Sequence, residues 1–315
     1  MKKLITVVLA LALLATAALA AAETYNIGII QLVQHEALDL ASQGFMDKLT
    51  ELLGEENVTF DYQNASGEAA NCATIVNGFV ANDVDLIMAN ATAALQAAVA
   101  ATGDIPVLAT SITDYATALE MSDWTGVTGI NASGTSDLAP LDGQAAVINE
   151  LFPEAKTIGL LYCSAEPNSK YQVDTIRVSL EALGYTCTDY AFADSNDLAS
   201  VTQSAADNSD VIYVPTDNTA AAYTETIANV VFPAKVPVVA GEESICAGCG
   251  VATLTISYYD LGVATGEMAY EVLVNGADVS SMPIQSAPQF TKKYNAANAA
   301  ELGVEIPDDY VAMGE

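Results

Sequence analysis

The chain has 315 residues and carries 40 acidic against 9 basic side chains, a formal net charge of −31. Repulsion from phosphate on that scale excludes nucleic acid and anionic membrane surfaces as partners. A solvated, self-repelling surface is the plain reading of the charge, beside an acidic patch for a cationic partner, and the length exceeds what one core serves, so two lobes are expected.

Residues 1–22 read as a cleaved export signal. Lys2 and Lys3 supply the positive end, residues 4–14 the apolar stretch, and Ala18-Leu19-Ala20 a small-residue cleavage site. A second such site ends at Ala22, so cleavage after Ala20 or Ala22 is expected. The apolar run is short for a bilayer span, and no cysteine follows it to take a lipid. The mature chain is therefore expected to be free in a periplasm or secreted, and monomeric.

Beyond the signal, short apolar runs alternate with longer amphipathic stretches. Strands are expected at 25–32, 58–62, 86–89, 106–109, 157–163, 186–191, 211–214 and 236–239, with helices at 38–53, 69–81, 169–183 and 220–231 among those between them. Such alternation predicts an α/β chain: two Rossmann-like lobes of parallel strands with helices on both faces. The pattern is made twice. Ile27-Gly28-Ile29-Ile30 resembles Ile158-Gly159-Leu160-Leu161, Asp85-Leu86-Ile87-Met88 resembles Asp210-Val211-Ile212-Tyr213, and Ile105-Pro106-Val107-Leu108 resembles Val236-Pro237-Val238-Val239. Order and spacing are both kept, at offsets of 131, 125 and 131 residues.

Ligands of open α/β sheets bind beyond the carboxyl ends of the strands. Two such lobes facing each other would line one cleft with loops 34–38, 90–94, 110–115, 164–169, 215–219 and 241–244. These loops hold hydroxyls, amides and acids, and of the mature chain's basic residues only Lys170 borders one. Multiply anionic ligands, which recruit arginine, are thereby disfavoured. A single carboxylate is still feasible at Asn90-Ala91-Thr92-Ala93-Ala94, where a helix start offers free N–H groups; an ordinary N-cap reads equally well. By the repeat offset Asp217 faces Thr92 across the cleft, either as the partner of an ammonium group or as an N-cap aspartate. Glu166, Asn168 and Ser169 add a second acid and polar side chains, with Ser169 equally able to cap the following helix.

Catalysis finds little support. His35 is the only histidine, and no nucleophile motif, P-loop or dinucleotide fingerprint accompanies it, so no cofactor and no enzymatic role are expected. A ligand contact or a helix cap suits His35 better. Tyr115, Tyr162 and Tyr213, near strand ends, either stack on a ligand ring or pack in the cores, the commoner fate. Cys246-Ala-Gly-Cys249 has C-x-x-C spacing but reads as a Gly-rich loop before a strand, and no second Cys/His pair completes a zinc site. A structural disulfide or free thiols are favoured there over redox or metal chemistry.

Several ordered motifs resemble a known family. They are residues 28–39 (GIIQLVQHEALD), Gly44-Phe45, Asn64-Ala65, Ala91-Thr92-Ala93-Ala94, Thr113-Asp114, Glu166 with Asn168-Ser169, Pro215-Thr216-Asp217-Asn218, and Ser257-Tyr258-Tyr259-Asp260-Leu261-Gly262. From about residue 25 to residue 283 the chain resembles the ABC-transporter substrate-binding proteins typified by tryptophan- and tyrosine-binding lipoproteins. The resemblance implies the type I periplasmic-binding fold, with a three-strand hinge crossing near 130–134, 253–258 and 281–285. The expected division is then a signal peptide at 1–22, an N-terminal lobe at 23–131 plus 256–282, and a C-terminal lobe at 132–255 plus 283–315. It also implies closure around a small solute, with an ABC permease and its ATPase as partners and an amino acid, aromatic or branched, as the usual ligand. Carried onto this chain, the ligand residues are His35, Thr92, Ala93, Asp114, Glu166, Asn168, Ser169, Thr216, Asp217 and, less closely matched, Glu242. A sugar or nucleoside ligand on the same fold, or a sensor that presents its ligand to a membrane receptor, is the alternative. The lipid-attachment cysteine of the family is missing, and the C-x-x-C pair is not part of its pattern.

Overall fold

The computed structural model describes residues 24–314, and the expected export signal lies outside the described residues. Two sheets organise the chain. The first is built from β1 (Tyr25–Gln31), β2 (Val58–Asn64), β3 (Leu86–Asn90), β4 (Val107–Ile112), β5 (Ala132–Ser136) and β11 (Gln285–Ser286), in the order β11-β5-β4-β3-β1-β2 with every pairing parallel. The second is built from β6 (Thr157–Cys163), β7 (Thr186–Phe192), β8 (Val211–Val214), β9 (Val238–Ala240), β10 (Ala252–Thr255), β12 (Thr291–Tyr294) and β13 (Val311–Ala312). Its order is β13-β12-β10-β9-β8-β6-β7, and only the β10–β12 pairing is antiparallel.

The internal repeat is a repeat of topology. β2-β1-β3-β4-β5 and β7-β6-β8-β9-β10 follow the same doubly wound order, and each resembling tetrapeptide pair falls at or just before matching strands. The two repeated aspartates do the same task. Asp85 accepts the N–H of Asn26 at 2.7 Å, and Asp210 accepts those of Lys156 and Thr157 at 2.8 and 2.9 Å, each tying the start of a central strand to its neighbour.

Side chains on the central strands alternate between two faces, as the pleat requires. In the first lobe Ile30, Ile87 and Ala89 face one core, while Ile27, Ile29, Leu86 and Met88 face the other. The second lobe divides Leu160 and Tyr213 from Leu161 and Ile212 in the same way. Full burial of each large aliphatic side chain contributes roughly 1.5–3 kcal/mol.

The helices between the strands include α1 (Glu36–Leu53), α2 (Ala69–Ala81), α3 (Thr92–Ala101), α4 (Tyr115–Ala118), α5 (Leu141–Leu151), α6 (Pro167–Ala182) and α7 (Leu198–Asn208). They continue with α8 (Asn218–Ala222), α9 (Thr224–Ala234), α10 (Glu243–Cys249), α11 (Tyr258–Leu273) and α12 (Ala296–Leu302). The helix expected at 220–231 is two helices, α8 and α9, separated by Tyr223. The C-x-x-C pair lies at the end of α10, so the expected Gly-rich loop is helical there.

Two lobe boundaries differ from expectation. Residues 132–136 extend the first sheet beside β4, and Gln285 and Ser286 pair with β5, so the first and third crossings lie near 137–140 and 287–290. β5 reads ASGTS, small and polar residues that carry no apolar strand signal, yet Ser133 and Thr135 are fully buried. The second crossing lies at 256–257, within the expected 253–258.

After that crossing α11 returns to the first lobe and packs on α1. A Cβ built on Gly262 would stand 2.0 Å from the Ala41 carbonyl oxygen, and one on Gly44 would stand 2.1 Å from that of Tyr259. The two backbones touch, and only glycine permits that spacing. Gly262→Ala and Gly44→Ala are each expected to destabilise the protein by about 1–3 kcal/mol, because the helices must separate. Gly103→Ala, where an added Cβ meets nothing within 4 Å, is expected to change stability by less than ~0.5 kcal/mol, and urea titration of the three variants checks both outcomes.

Candidate functional site

The carboxyl ends of both sheets meet at a small, narrow cavity. The first lobe contributes His35, Leu38, Ser111 and Thr113; the second contributes Asn168, Thr216, Asp217, Asn218, Ala221 and Glu242. Asp137, from the first crossing, and Tyr258, just after the second, complete the wall.

In the first lobe a buried amide and hydroxyl network holds the start of α1. Ser42 donates to Gln31 Oε1 at 2.7 Å, and Asn90 Nδ2 donates to the Leu38 carbonyl at 2.8 Å and to Ser42 Oγ at 3.0 Å. Gln31 Nε2 donates to Asp39 at 2.7 Å, which fixes the loop that carries His35. At the end of β4 the register with β5 shifts, and Ser111 adopts φ 57°. A serine in this left-handed region is strained, and such strain clusters at ligand sites.

The second lobe uses its acids to cap its own helices. Glu166 accepts the backbone N–H groups of Asn218 and Thr219 at 3.0 and 2.9 Å, and also their side chains at 2.7 and 2.8 Å. Asp217 accepts Ala220 N–H on Oδ1 at 2.8 Å and Cys163 N–H on Oδ2 at 2.6 Å. Glu242 accepts Ser244 N–H and Ile245 N–H, both at 2.6 Å. Gln144 holds the loop below it by donating to Gly241 O and Leu254 O at 3.0 and 3.1 Å, while Tyr213 donates to Gln144 from the core at 2.5 Å.

Contacts across the cleft join these networks. Gln172 Nε2 donates to Thr113 Oγ1 at 3.3 Å, and its Oε1 accepts Thr216 N–H at 3.1 Å. His35 Nε2 lies 3.3 Å from Asn218 Oδ1. Because Asn218 Nδ2 donates to Glu166, its Oδ1 must be the atom facing His35, so Nε2–H is the donor and Nδ1 carries a lone pair. Burial lowers the pKa of His35, favouring that neutral ring.

Seven buried side-chain polar atoms among the described residues have no hydrogen-bond partner, and four of them line this one cavity: His35 Nδ1, Ser111 Oγ, Asp137 Oδ1 and Thr216 Oγ1. Since buried polar groups are almost always paired, the concentration makes this cavity the candidate ligand site. No lysine or arginine lines the cavity. Desolvation pushes the Asp137 carboxyl up to about 6 and that of Glu242 to about 7, and it raises Asp217, where the neighbouring Glu166 adds to the effect.

Of the ten site residues expected from sequence, His35, Asn168, Thr216, Asp217 and Glu242 line the cavity, and Thr92, Ala93, Asp114, Glu166 and Ser169 do not. Thr92 and Ala93 open α3 outside the lining. Asp114 caps α4 by accepting Thr117 N–H at 2.7 Å. Glu166 and Ser169 stand behind the wall, the first as the cap of α8 and the second accepting from Asn168 Nδ2 at 3.3 Å. Sequence reasoning missed Ser111, Thr113, Asp137 and Tyr258 as individual residues. The first two fall in an expected cleft loop and Tyr258 in a family-like motif, but Asp137 carried no signal because the crossing was expected before it.

Tyr115, Tyr162 and Tyr213 all pack in the cores. All five cysteines are free thiols, and burial pushes Cys246 and Cys249 well above the ordinary thiol range, away from the thiolate that redox chemistry needs. Among the described residues no group of His, Cys, Asp or Glu side chains is arranged to hold a metal ion, and no helix is long and apolar enough to cross a membrane.

Comparison with known proteins agrees with this architecture. Residues 26–314 match the family model described as ABC transporter substrate binding protein. The chain is 35% identical over 261 residues to the tyrosine-binding protein of Clostridioides difficile (strain R20291), covering 82% of this chain and 75% of that protein. It superposes with a TM-score of 0.87 on the ABC domain in complex with L-Trp from Streptococcus pneumonia, at 35% identity over 91% of this chain and 97% of the other. Against the ligand-free, open structure of a substrate binding protein with adhesive properties from Clostridium difficile the TM-score is 0.69, at 34% identity over 92% and 99% of the two chains. The chain belongs to the ABC transporter substrate-binding protein family, whose members bind their substrates and are not enzymes.

Proposed function

We propose that this protein is the extracytoplasmic receptor of an ABC importer and captures an amino acid, aromatic by preference, by closing its two lobes around it. The observation that carries this reading is the set of four unpartnered polar atoms, drawn from both lobes and a crossing, that face one enclosed cavity. Asp137 Oδ1 and His35 Nδ1 are acceptors, while the Ser111 and Thr216 hydroxyls can donate. A zwitterion presents the complementary pair, an ammonium donor and a carboxylate acceptor. A cavity without lysine or arginine suits that single carboxylate better than a phosphate or dicarboxylate.

The relatives support the ligand class, one being named for tyrosine and another holding L-Trp. At nearly equal identity the chain fits the L-Trp complex better than the open, ligand-free relative, which supports a closed arrangement of the lobes here. Closure of this kind buries the solute and creates the surface a permease and its ATPase would read. The apparent signal at residues 1–22 supports export.

Calorimetric titration of the mature protein is expected to give saturable binding of L-tyrosine or L-tryptophan. Ser111→Ala and Thr216→Val are each expected to weaken it by about 10-fold through loss of one hydrogen bond. Stabilisation by a sugar or nucleoside, with none by any amino acid in a thermal-shift panel, would overturn the reading.

A pH dependence of closure follows from the buried acids. A carboxyl whose pKa rises on burial favours the buried form below its ordinary pKa, and that preference is lost as pH climbs through the raised value. The part of the burial of Asp137, Glu242 and Asp217 that the opposite lobe supplies therefore opposes closure between pH 5 and 8. His35 acts in the other sense, but its lowered pKa affects only the range below its ordinary value of 6.5. Dialysed protein is expected to show a larger radius of gyration by X-ray scattering at pH 8 than at pH 5, and a smaller one would contradict the closure argument.

A further inference from the structure

We propose that the ligand's ammonium group is received by Asp137, on the first crossing between the lobes, and not by Asp217. The assignment rests on the amino-acid reading above and deepens it. Three carboxylates line the cavity: Asp137, Asp217 and Glu242. Both oxygens of Asp217 already accept backbone N–H groups, from Ala220 and Cys163, and both oxygens of Glu242 are engaged at the start of α10. Their oxygens are taken by backbone donors at helix starts and on β6 of their own lobe, although burial still raises both groups. Asp137 is different. Its side chain is buried, with the residue only 5% exposed; Oδ2 accepts the Tyr258 hydroxyl at 2.9 Å, the Thr113 hydroxyl nearby helps hold the charge, and Oδ1 makes no hydrogen bond of good geometry.

A buried carboxylate with one oxygen unmet is costly unless a cation with hydrogen atoms to donate is placed against it. Among the described residues no lysine or arginine lines the cavity, so that cation would come with the ligand. His35 Nδ1, held as an acceptor by the Asn218 amide, would take a second hydrogen of the same ammonium. The other titratable groups at the wall are Tyr258, which donates to Asp137, and the capped acids Asp217 and Glu242, with Glu166 behind them.

The position has a mechanical meaning. Asp137 follows β5 directly and its N–H donates to the Ile112 carbonyl, while Tyr258 opens α11 just after the second crossing. An ammonium bound there sits at the hinge, where rotation of one lobe against the other displaces atoms least. The charged end of the solute would then be held in open and closed forms alike, and the lobes would close over its side chain. Recognition of the α-amino group is thereby separated from recognition of the side chain.

The test compares L-tyrosine and L-tryptophan with their deaminated counterparts, 3-(4-hydroxyphenyl)propanoate and indole-3-propanoate, by calorimetry. Wild-type protein is expected to prefer the amino acid by about 100-fold or more, as sites built to bond a polar group reject analogues that lack it. Asp137→Asn is expected to lose about 100-fold in affinity for the amino acid while binding the deaminated compound within about 3-fold of wild type. Asp217→Asn is expected to lower the thermal unfolding midpoint and keep the preference. Tyr258→Phe, which removes only the donor that orients Asp137, is expected to weaken amino-acid binding by about 5- to 20-fold, and it decides the matter if Asp137→Asn does not fold. A preference kept by Asp137→Asn and lost by Asp217→Asn overturns this assignment alone. Absence of amino-acid binding by the wild type overturns the amino-acid reading, and the assignment with it.

Discussion

Bringing the carboxyl ends of two parallel sheets face to face forces polar loops out of water and into one another, and every hydrogen-bonding group buried in this way must find a partner. The second lobe meets the demand internally. Glu166, Asp217 and Glu242 spend their oxygens on the first turns of α8 and α10, so three acids are buried together without any basic residue. The first lobe and the crossings do not complete the pairing. His35, Ser111, Asp137 and, opposite them, Thr216 each keep an atom unmet. In the proposed closure a ligand would supply those partners, so closing and binding would be coupled.

The lobes share a topology but divide the labour. The order of the five repeated strands is the same in both, and Asp85 and Asp210 perform the same service at the start of the central strands. At the opposite strand ends they differ. The first lobe offers a neutral histidine and hydroxyls on a strained strand end, and the second offers a rigid wall of capped acids and amides. Rigidity extends into the cores, where Tyr213 supports Gln144 and Gln144 supports the loop carrying Glu242. The packing of α11 on α1 through Gly44 and Gly262 does the corresponding work in the first lobe, since it seats Tyr258 at the crossing against Asp137.

Features with the look of chemistry turn out to be packing. Cys246 and Cys249 lie in the core face of α10, and the three strand-end tyrosines fill cores rather than the cavity. Of the aromatic rings at the site only those of Tyr258 and His35 remain. The protein's chemistry is therefore one of complementary hydrogen bonds in a cavity of low dielectric, where each bond counts for more than in water.

How much of this was legible in the chain varies by feature. The alternation of short apolar runs with amphipathic stretches located the central strands within one to three residues at each end, because buried parallel strands must be continuously apolar. The internal repeat made two lobes and their facing loops visible, and the scarcity of basic residues near those loops disfavours a multiply anionic ligand. β5 was not visible: its small polar residues join a sheet through backbone hydrogen bonds alone, and no periodicity records that. With β5 unseen, the first crossing was expected too early and Asp137 escaped notice. Nor could spacing distinguish an acid whose oxygens cap a helix from one that keeps an oxygen unmet at the cavity, as Asp217 and Asp137 demonstrate. That difference depends on which groups from remote parts of the chain arrive within hydrogen-bond distance, so only the tertiary structure decided it.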